Sequence, residues 1–198
     1  MKILTTIIFL AILTLCASYS EAQSITSIVQ VKLQRHDGKT YRSSGFFVGE
    51  RKVVTNFHVV YGRTTDIVSV YINGKSHLGL VTKISQKYDL ALIELGHFPD
   101  KKPFKFCDPN TIKPGQRVRL LSKNPGIKID FMKIKEVTDY WTTLDQRVEP
   151  GDSGAPILRG WGEDKCVIGV VVGTMYNQER TVVSPVQFLE EFLNEKLK

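Results

Sequence analysis

Three residues of this chain have the types needed to open a carbonyl bond together: His58, Asp89 and Ser153. Ser153 lies in Gly151-Asp152-Ser153-Gly154, His58 in Thr55-Asn56-Phe57-His58-Val59-Val60, and Asp89 in Lys87-Tyr88-Asp89-Leu90-Ala91-Leu92. A serine hydroxyl is a weak nucleophile at neutral pH and needs a base that takes its proton as it attacks. Imidazole titrates in that range. A carboxylate bonded to the other ring nitrogen would fix the tautomer and stabilise the imidazolium. Each residue alone has a plainer reading: a structural histidine after a strand, a turn aspartate, a loop serine. The weight lies in their order, His then Asp then Ser, and in the strand-like residues that flank each one. His36, His77 and His97 lack such settings and read as surface residues.

Attack on a carbonyl leaves charge on its oxygen, and that charge needs backbone N–H donors aimed at it. The amides of Gly151 and Ser153 are the candidates. A side chain at position 151 would obstruct the backbone shape they require; the plainer reading of Gly151 is an ordinary tight turn.

Such groups must be held by a rigid frame. The chain has 198 residues, 42% of them hydrophobic, enough for a real core in one domain or two small lobes. Short runs rich in Val, Ile and aromatic residues read as strands over 27–33, 45–48, 53–55, 67–72, 78–84 and 90–95. Asn73-Gly74 predicts a tight hairpin and Asp37-Gly38 another turn. The proline-rich stretch 98–114 reads as a connector between lobes. Further strands are expected over 117–122, 128–137, 142–144, 155–158, 166–173 and 181–184. From Pro185 onward the apolar spacing becomes helical, with Val186, Phe188, Leu189, Phe192, Leu193 and Leu197 on one face, Ser184 placed to cap and Pro185 in the first turn. The expectation is an all-β protein: two packed six-stranded antiparallel β-barrels, about 23–100 and about 112–198, the second carrying a C-terminal α-helix.

Residues 1–22 stand apart. Met1-Lys2, the apolar run from Ile3 to Leu15 and the small residues up to Ala22 predict a secretory signal peptide cut before Gln23. Lipidation at Cys16 fits less well, because Leu15 is bulky for the position before a lipidated cysteine. A secreted or periplasmic location follows, with no stable membrane insertion after leader removal. The formal charge is +7, but the basic residues are scattered rather than clustered with aromatics. They read as a solvated surface and not as a nucleic-acid site. Cys107 and Cys166 remain after the leader, as a disulfide or as two small buried thiols. No Cys-x-x-Cys or His-Glu-x-x-His occurs, so no metal is expected.

The motifs resemble those of the chymotrypsin/trypsin-like serine protease superfamily, in style closest to short Deg/HtrA-type and glutamyl-endopeptidase-like secreted enzymes. The resemblance rests on Ser44-Gly45-Phe46-Phe47-Val48, Val53-Val54-Thr55-Asn56-Phe57-His58-Val59, Tyr88-Asp89-Leu90-Ala91-Leu92-Ile93, Pro150-Gly151-Asp152-Ser153-Gly154-Ala155-Pro156 and Val167-Ile168-Gly169-Val170-Val171. It implies a chymotrypsin-like double barrel, a catalytic His58, Asp89 and Ser153, and an oxyanion hole from the Gly151 and Ser153 amides. Ala155 stands where a glycine is common. The resemblance also places Arg147 at the base of a substrate pocket walled by Val148, Val172, Gly173 and Thr174. Two readings stay open there: an inward Arg147 would attract an acidic substrate residue, and an outward one would leave a small apolar pocket. In zymogen relatives the carboxylate equivalent to Asp152 pairs with a newly freed N-terminus. Here Ser27-Ile28-Val29 resembles the first strand of the self-active branch, so leader removal is expected to suffice.

The expected activity is serine endopeptidase cleavage through an acyl-enzyme, on protein or peptide substrates, with no cofactor and with an undefined oligomeric state. Two rivals remain: a catalytically silent binding protein on the same fold with a basic surface, and a protease that cuts only its own chain or one assembly partner.

Overall fold

The computed structural model of the chain describes residues 26–63, 65–96, 101–123, 126–175 and 177–195. The expected leader, His97 and Leu197 lie outside these residues.

Six strands close the first barrel: β1 (Ile28–Gln34), β2 (Thr40–Phe47), β3 (Lys52–Thr55), β4 (Ile67–Ile72), β5 (Lys75–Ser85) and β6 (Leu90–Leu95). Their order around it is β1-β2-β3-β6-β5-β4, and every pairing is antiparallel. Asn73 takes φ 49° in the β4–β5 turn, which closes on the pair Ile72 and Lys75. Positive φ at such a position is what a two-residue hairpin loop demands.

The second barrel uses β8 (Arg117–Lys123), β9 (Ile127–Val137), β10 (Thr142–Leu144), β11 (Pro156–Arg159), β12 (Cys166–Met175) and β13 (Arg180–Pro185). The order β11-β8-β9-β10-β13-β12 returns to β11 through the β11–β12 pairing, so six antiparallel strands close on themselves. A short strand that the sequence reading missed, β7 (Lys105–Phe106), runs parallel to β12 from within the proline-rich connector. Next to it, Cys107 and Cys166 form a disulfide that ties the connector to β12; the two-thiol reading is set aside.

The core explains why several strands look apolar on both faces. In β1, Val29, Val31 and Leu33 point into the first barrel, while Ile28 points out between the barrels. In the same way Phe47, Val53, Ala91 and Ile93 fill the first barrel, while Phe46, Val54, Leu90 and Leu92 pack outward. They meet Leu121, Leu158, Val167 and Val170 of the second barrel, which has its own interior around Leu120, Ile134, Leu144 and Ile157. Both faces of these strands are buried, and burial of apolar area at about 25 cal/mol per Å² is what holds the two barrels together.

The described residues also include the short α-helices α1 (Phe57–Val60), directly after β3, and α2 (Val186–Asn194). Helix α2 inserts Leu189 and Phe192 into the inter-barrel core, with Phe188 and Leu193 beside them. Its N-cap is Pro185, with no side-chain cap. Ser184 belongs instead to β13, and its hydroxyl donates to the Tyr88 carbonyl at 3.0 Å. The expected Ser184 cap is therefore corrected: pairing through β13 carries the backbone past Ser184 in extended form. No helix among the described residues is long and apolar enough to cross a membrane.

Candidate active site

His58 and Asp89 come from the first barrel, and Ser153 comes from the second. His58 is the second residue of α1. Asp89 sits in the turn before β6 with φ 52°. This left-handed conformation is unusual for a residue with a Cβ, and Asn and Asp tolerate it best. Buried Asn56 helps to hold it there, its side-chain amide donating to the Asp89 carbonyl at 3.0 Å.

Asp89 grips His58 twice. Its Oδ1 accepts the His58 backbone N–H at 2.9 Å, and its Oδ2 lies 2.8 Å from Nδ1 of the imidazole. A carboxylate beside Nδ1 favours the tautomer with the proton on that nitrogen, leaving Nε2 to accept one. From the end of β1, the Arg35 guanidinium donates to the His58 carbonyl at 2.9 Å.

Ser153 stands in the loop between β10 and β11. Its hydroxyl donates to the Val172 carbonyl at 3.1 Å and not to His58. Val172 lacks a cross-strand partner, because the register between β12 and β13 slips between Val171 and Gly173. Such bulges re-aim the backbone next to sites of chemistry.

The loop itself is tied at many points. Gly151 takes φ 100° and Gly154 φ 83°, the region open to glycine. The Ser153 carbonyl accepts the Ser44 N–H at 3.0 Å, and the Gly151 carbonyl accepts the Ser44 hydroxyl at 3.1 Å. Gly154 N–H donates to Val171 O, and Ala155 N–H to Asp152 O. Neither the Gly151 nor the Ser153 amide donates to an acceptor among the described residues. Asp152 is turned inward, 2% exposed, and its carboxylate accepts from Ser122 Oγ at 2.6 Å, Lys128 Nζ at 3.0 Å and the Glu149 N–H at 2.9 Å.

The expected pocket residues lie on two facing segments. The Thr174 hydroxyl accepts the Val148 N–H at 3.3 Å and donates to the Val148 carbonyl at 3.2 Å, so the two segments are stitched together. Arg147 points to solvent, its side chain 55% exposed and 3.6 Å from the Glu179 carboxylate.

Residues 43–170 match the model of the trypsin-like peptidase domain. The chain belongs to the trypsin-like peptidase family. It is also similar to the serine proteases MT3772 and Rv3671c of two Mycobacterium tuberculosis strains, 27% identical over 173 residues and 78% of this chain. The chain spans 42% of the length of each of these relatives. The crystal structure of the Rv3671c protease in its active form superposes with a TM-score of 0.77 at 24% identity, covering 88% of this chain and 82% of that one. An inactive form gives 0.71 at 25% identity, covering 88% and 90%.

Within this trypsin-like frame, the sequence motifs named the candidate residues His58, Asp89 and Ser153 but not several groups that hold them in place. Ser44 is fully buried and bridges three places: Ser153 and Gly151 as above, and β8 through the Lys123 N–H at 3.0 Å. Thr55 Oγ1 donates to the Ser44 carbonyl at 2.8 Å. Ser122, Lys128, Asn56 and Arg35 were likewise passed over. Asn56 sits in the quoted histidine motif, so its neighbourhood was visible; the others act across long sequence separations that no local pattern marks.

Proposed function

We propose that this chain is an exported serine endopeptidase that works through a Ser153 acyl-enzyme. The observations that support the reading are the double grip of Asp89 on His58 and the glycine-shaped loop around Ser153. In the proposed cycle the Ser153 hydroxyl turns from Val172 to Nε2 of His58, a rotation between staggered wells. It then attacks the substrate carbonyl while His58 takes the proton and Asp89 stabilises the imidazolium. The free Gly151 and Ser153 amides receive the oxyanion. The proton returns to the leaving amine, and water repeats the sequence to release the acyl group.

The substrate is an extended peptide. The ladder between β11 and β12 ends at the pair Pro156 and Val170, so the stretch of β12 beyond Val171 has a side for strand-like pairing. Before the cut we propose a small apolar residue. Exposed Arg147, already beside Glu179, avoids the cost of a buried unpaired guanidinium, and the Thr174–Val148 stitch narrows the slot.

A second reading, a silent binding protein, draws on one observation: the Ser153 hydroxyl is bonded to Val172 rather than to His58. Peptides varied at the residue before the cut separate the two. The expected result is turnover that favours Ala or Val, lost by several orders of magnitude in Ser153→Ala. Preference for Asp or Glu would refute the apolar pocket. No turnover of any peptide would favour the binding protein.

A further inference from the structure

We propose that Lys128 is the built-in cation that holds the oxyanion loop in working shape, a positioning role that rests on the endopeptidase reading. Asp152 is the residue between the two amides proposed to bind the oxyanion, so the direction of its side chain and the geometry of those amides are linked. A buried carboxylate is stable only when its charge is paired and its lone pairs are satisfied. Among the described residues three groups meet the Asp152 carboxylate: Ser122 and the Glu149 amide are neutral, and Lys128 brings charge.

The support for Lys128 is built into the sheet. Ser122 and Lys128 are directly opposed across the β8–β9 hairpin. Both reach Asp152 from one rigid element rather than from a loop. The ammonium is also shared with Asp130 at 3.0 Å and Glu149 at 3.3 Å, so three carboxylates surround one cation. Burial pushes the Lys128 ammonium down, but hydrogen bonds to Asp130, Asp152 and Glu149 and the Asp152 charge hold it, on balance, above the ordinary lysine range. The amine therefore stays charged at every pH at which His58 would act as a base. Because the cation belongs to β9 of this same chain, the loop would reach its shape without a cleavage that frees a new amine.

Chains carrying Lys128→Met, Lys128→Arg, Asp152→Asn and the Lys128→Met/Asp152→Asn pair test this, with kcat and KM read separately and folding followed by urea denaturation. Losing an oxyanion-hole donor costs about 10²–10³ in kcat in comparable enzymes. Lys128→Met is expected to lower kcat by about 100-fold with KM within about 3-fold, and Lys128→Arg to restore most of it. In the Asp152→Asn background, Lys128→Met should cost less than about 3-fold, since the charge it served is gone. Should Lys128→Met fold poorly, Lys128→Gln, which keeps a donor but no charge, makes the same test. A folded Lys128→Met or Lys128→Gln enzyme with kcat within about 3-fold of the parent overturns the proposal. A parent chain that turns over no peptide refutes the endopeptidase reading instead, so the two failures are distinct.

Discussion

Gly154 lies so close to Ser44 that a Cβ at position 154 would stand 2.2 Å from the Ser44 carbonyl oxygen and 2.5 Å from Thr55 Oγ1. The contact joins the serine loop of the second barrel to β2 and β3 of the first, and the glycine also needs its φ of 83°. Ser44 cannot retreat, because it is buried and bonded to Gly151, Ser153 and Lys123.

Gly154→Ala should therefore disturb stability and activity together. A left-handed backbone costs a residue with a Cβ about 1–2 kcal/mol, and overpacking adds about 1–3 kcal/mol. Urea denaturation should show a loss of about 2–5 kcal/mol, the sum of these two effects, with peptide turnover falling at least 100-fold by about the scale of a lost oxyanion donor. A variant as stable as the parent would mean that the loop is looser than these distances imply.

Asp89→Asn keeps the shape but allows an amide N–H to face Nδ1, which favours the wrong imidazole tautomer. By analogy with the same change in chymotrypsin-type triads, kcat should fall by about 10⁴. The stability effect should be smaller than for Gly154→Ala, since the side chain is partly exposed and the His58 N–H can still be accepted. Parallel kcat and denaturation measurements check this.

The disulfide gives a redox prediction. Cys107 and Cys166 are 59 residues apart in sequence, so the bridge closes a long loop in the unfolded chain. Reduction, or Cys107→Ser with Cys166→Ser, should cost about 2–4 kcal/mol. Denaturation with and without reductant measures it. Loss should appear first at β7, whose pairing to β12 the bridge supports.

Lys128 sets a pH window. Its folded-state pKa lies above the ordinary lysine value of 10.5. A base raised on folding stabilises fully below its unfolded pKa and loses that contribution as pH rises through the folded one. The stability gap between the parent and Lys128→Met should thus be constant from pH 6 to 9, about the working range of such proteins, and shrink above about 10.5. A gap that closes near neutrality would contradict this sign.

The sequence named candidate reactive side chains because the signals for them are local: one short motif each, on strand-like flanks. The barrels were legible for a related reason, the regular return of β-branched runs and the Asn73-Gly74 turn. What stayed hidden depends on contacts far apart in sequence. Among the described residues β7 pairs with β12 alone, 61 positions further along, counting from Lys105 to Cys166. Ser44 looks like any small strand residue until Gly151, 107 residues later, comes to rest on its hydroxyl. In β5 the apolar pattern even points the wrong way. Leu78, Leu80 and Ile84 are exposed, while Gly79 and Val81 face inward. The pairing of Cys107 with Cys166 belongs to the same class, since spacing allowed it but only the fold brings the two together.

In the proposed mechanism His58 activates Ser153 for attack. A fluorophosphonate probe, followed by peptide mapping of the labelled chain, tests it most directly. The expected result is one label per chain, on Ser153, abolished by Ser153→Ala and slowed at least 100-fold by His58→Ala, about the scale of a lost general base. A folded parent chain that takes no label, or a His58→Ala chain labelled at the parental rate, would contradict it.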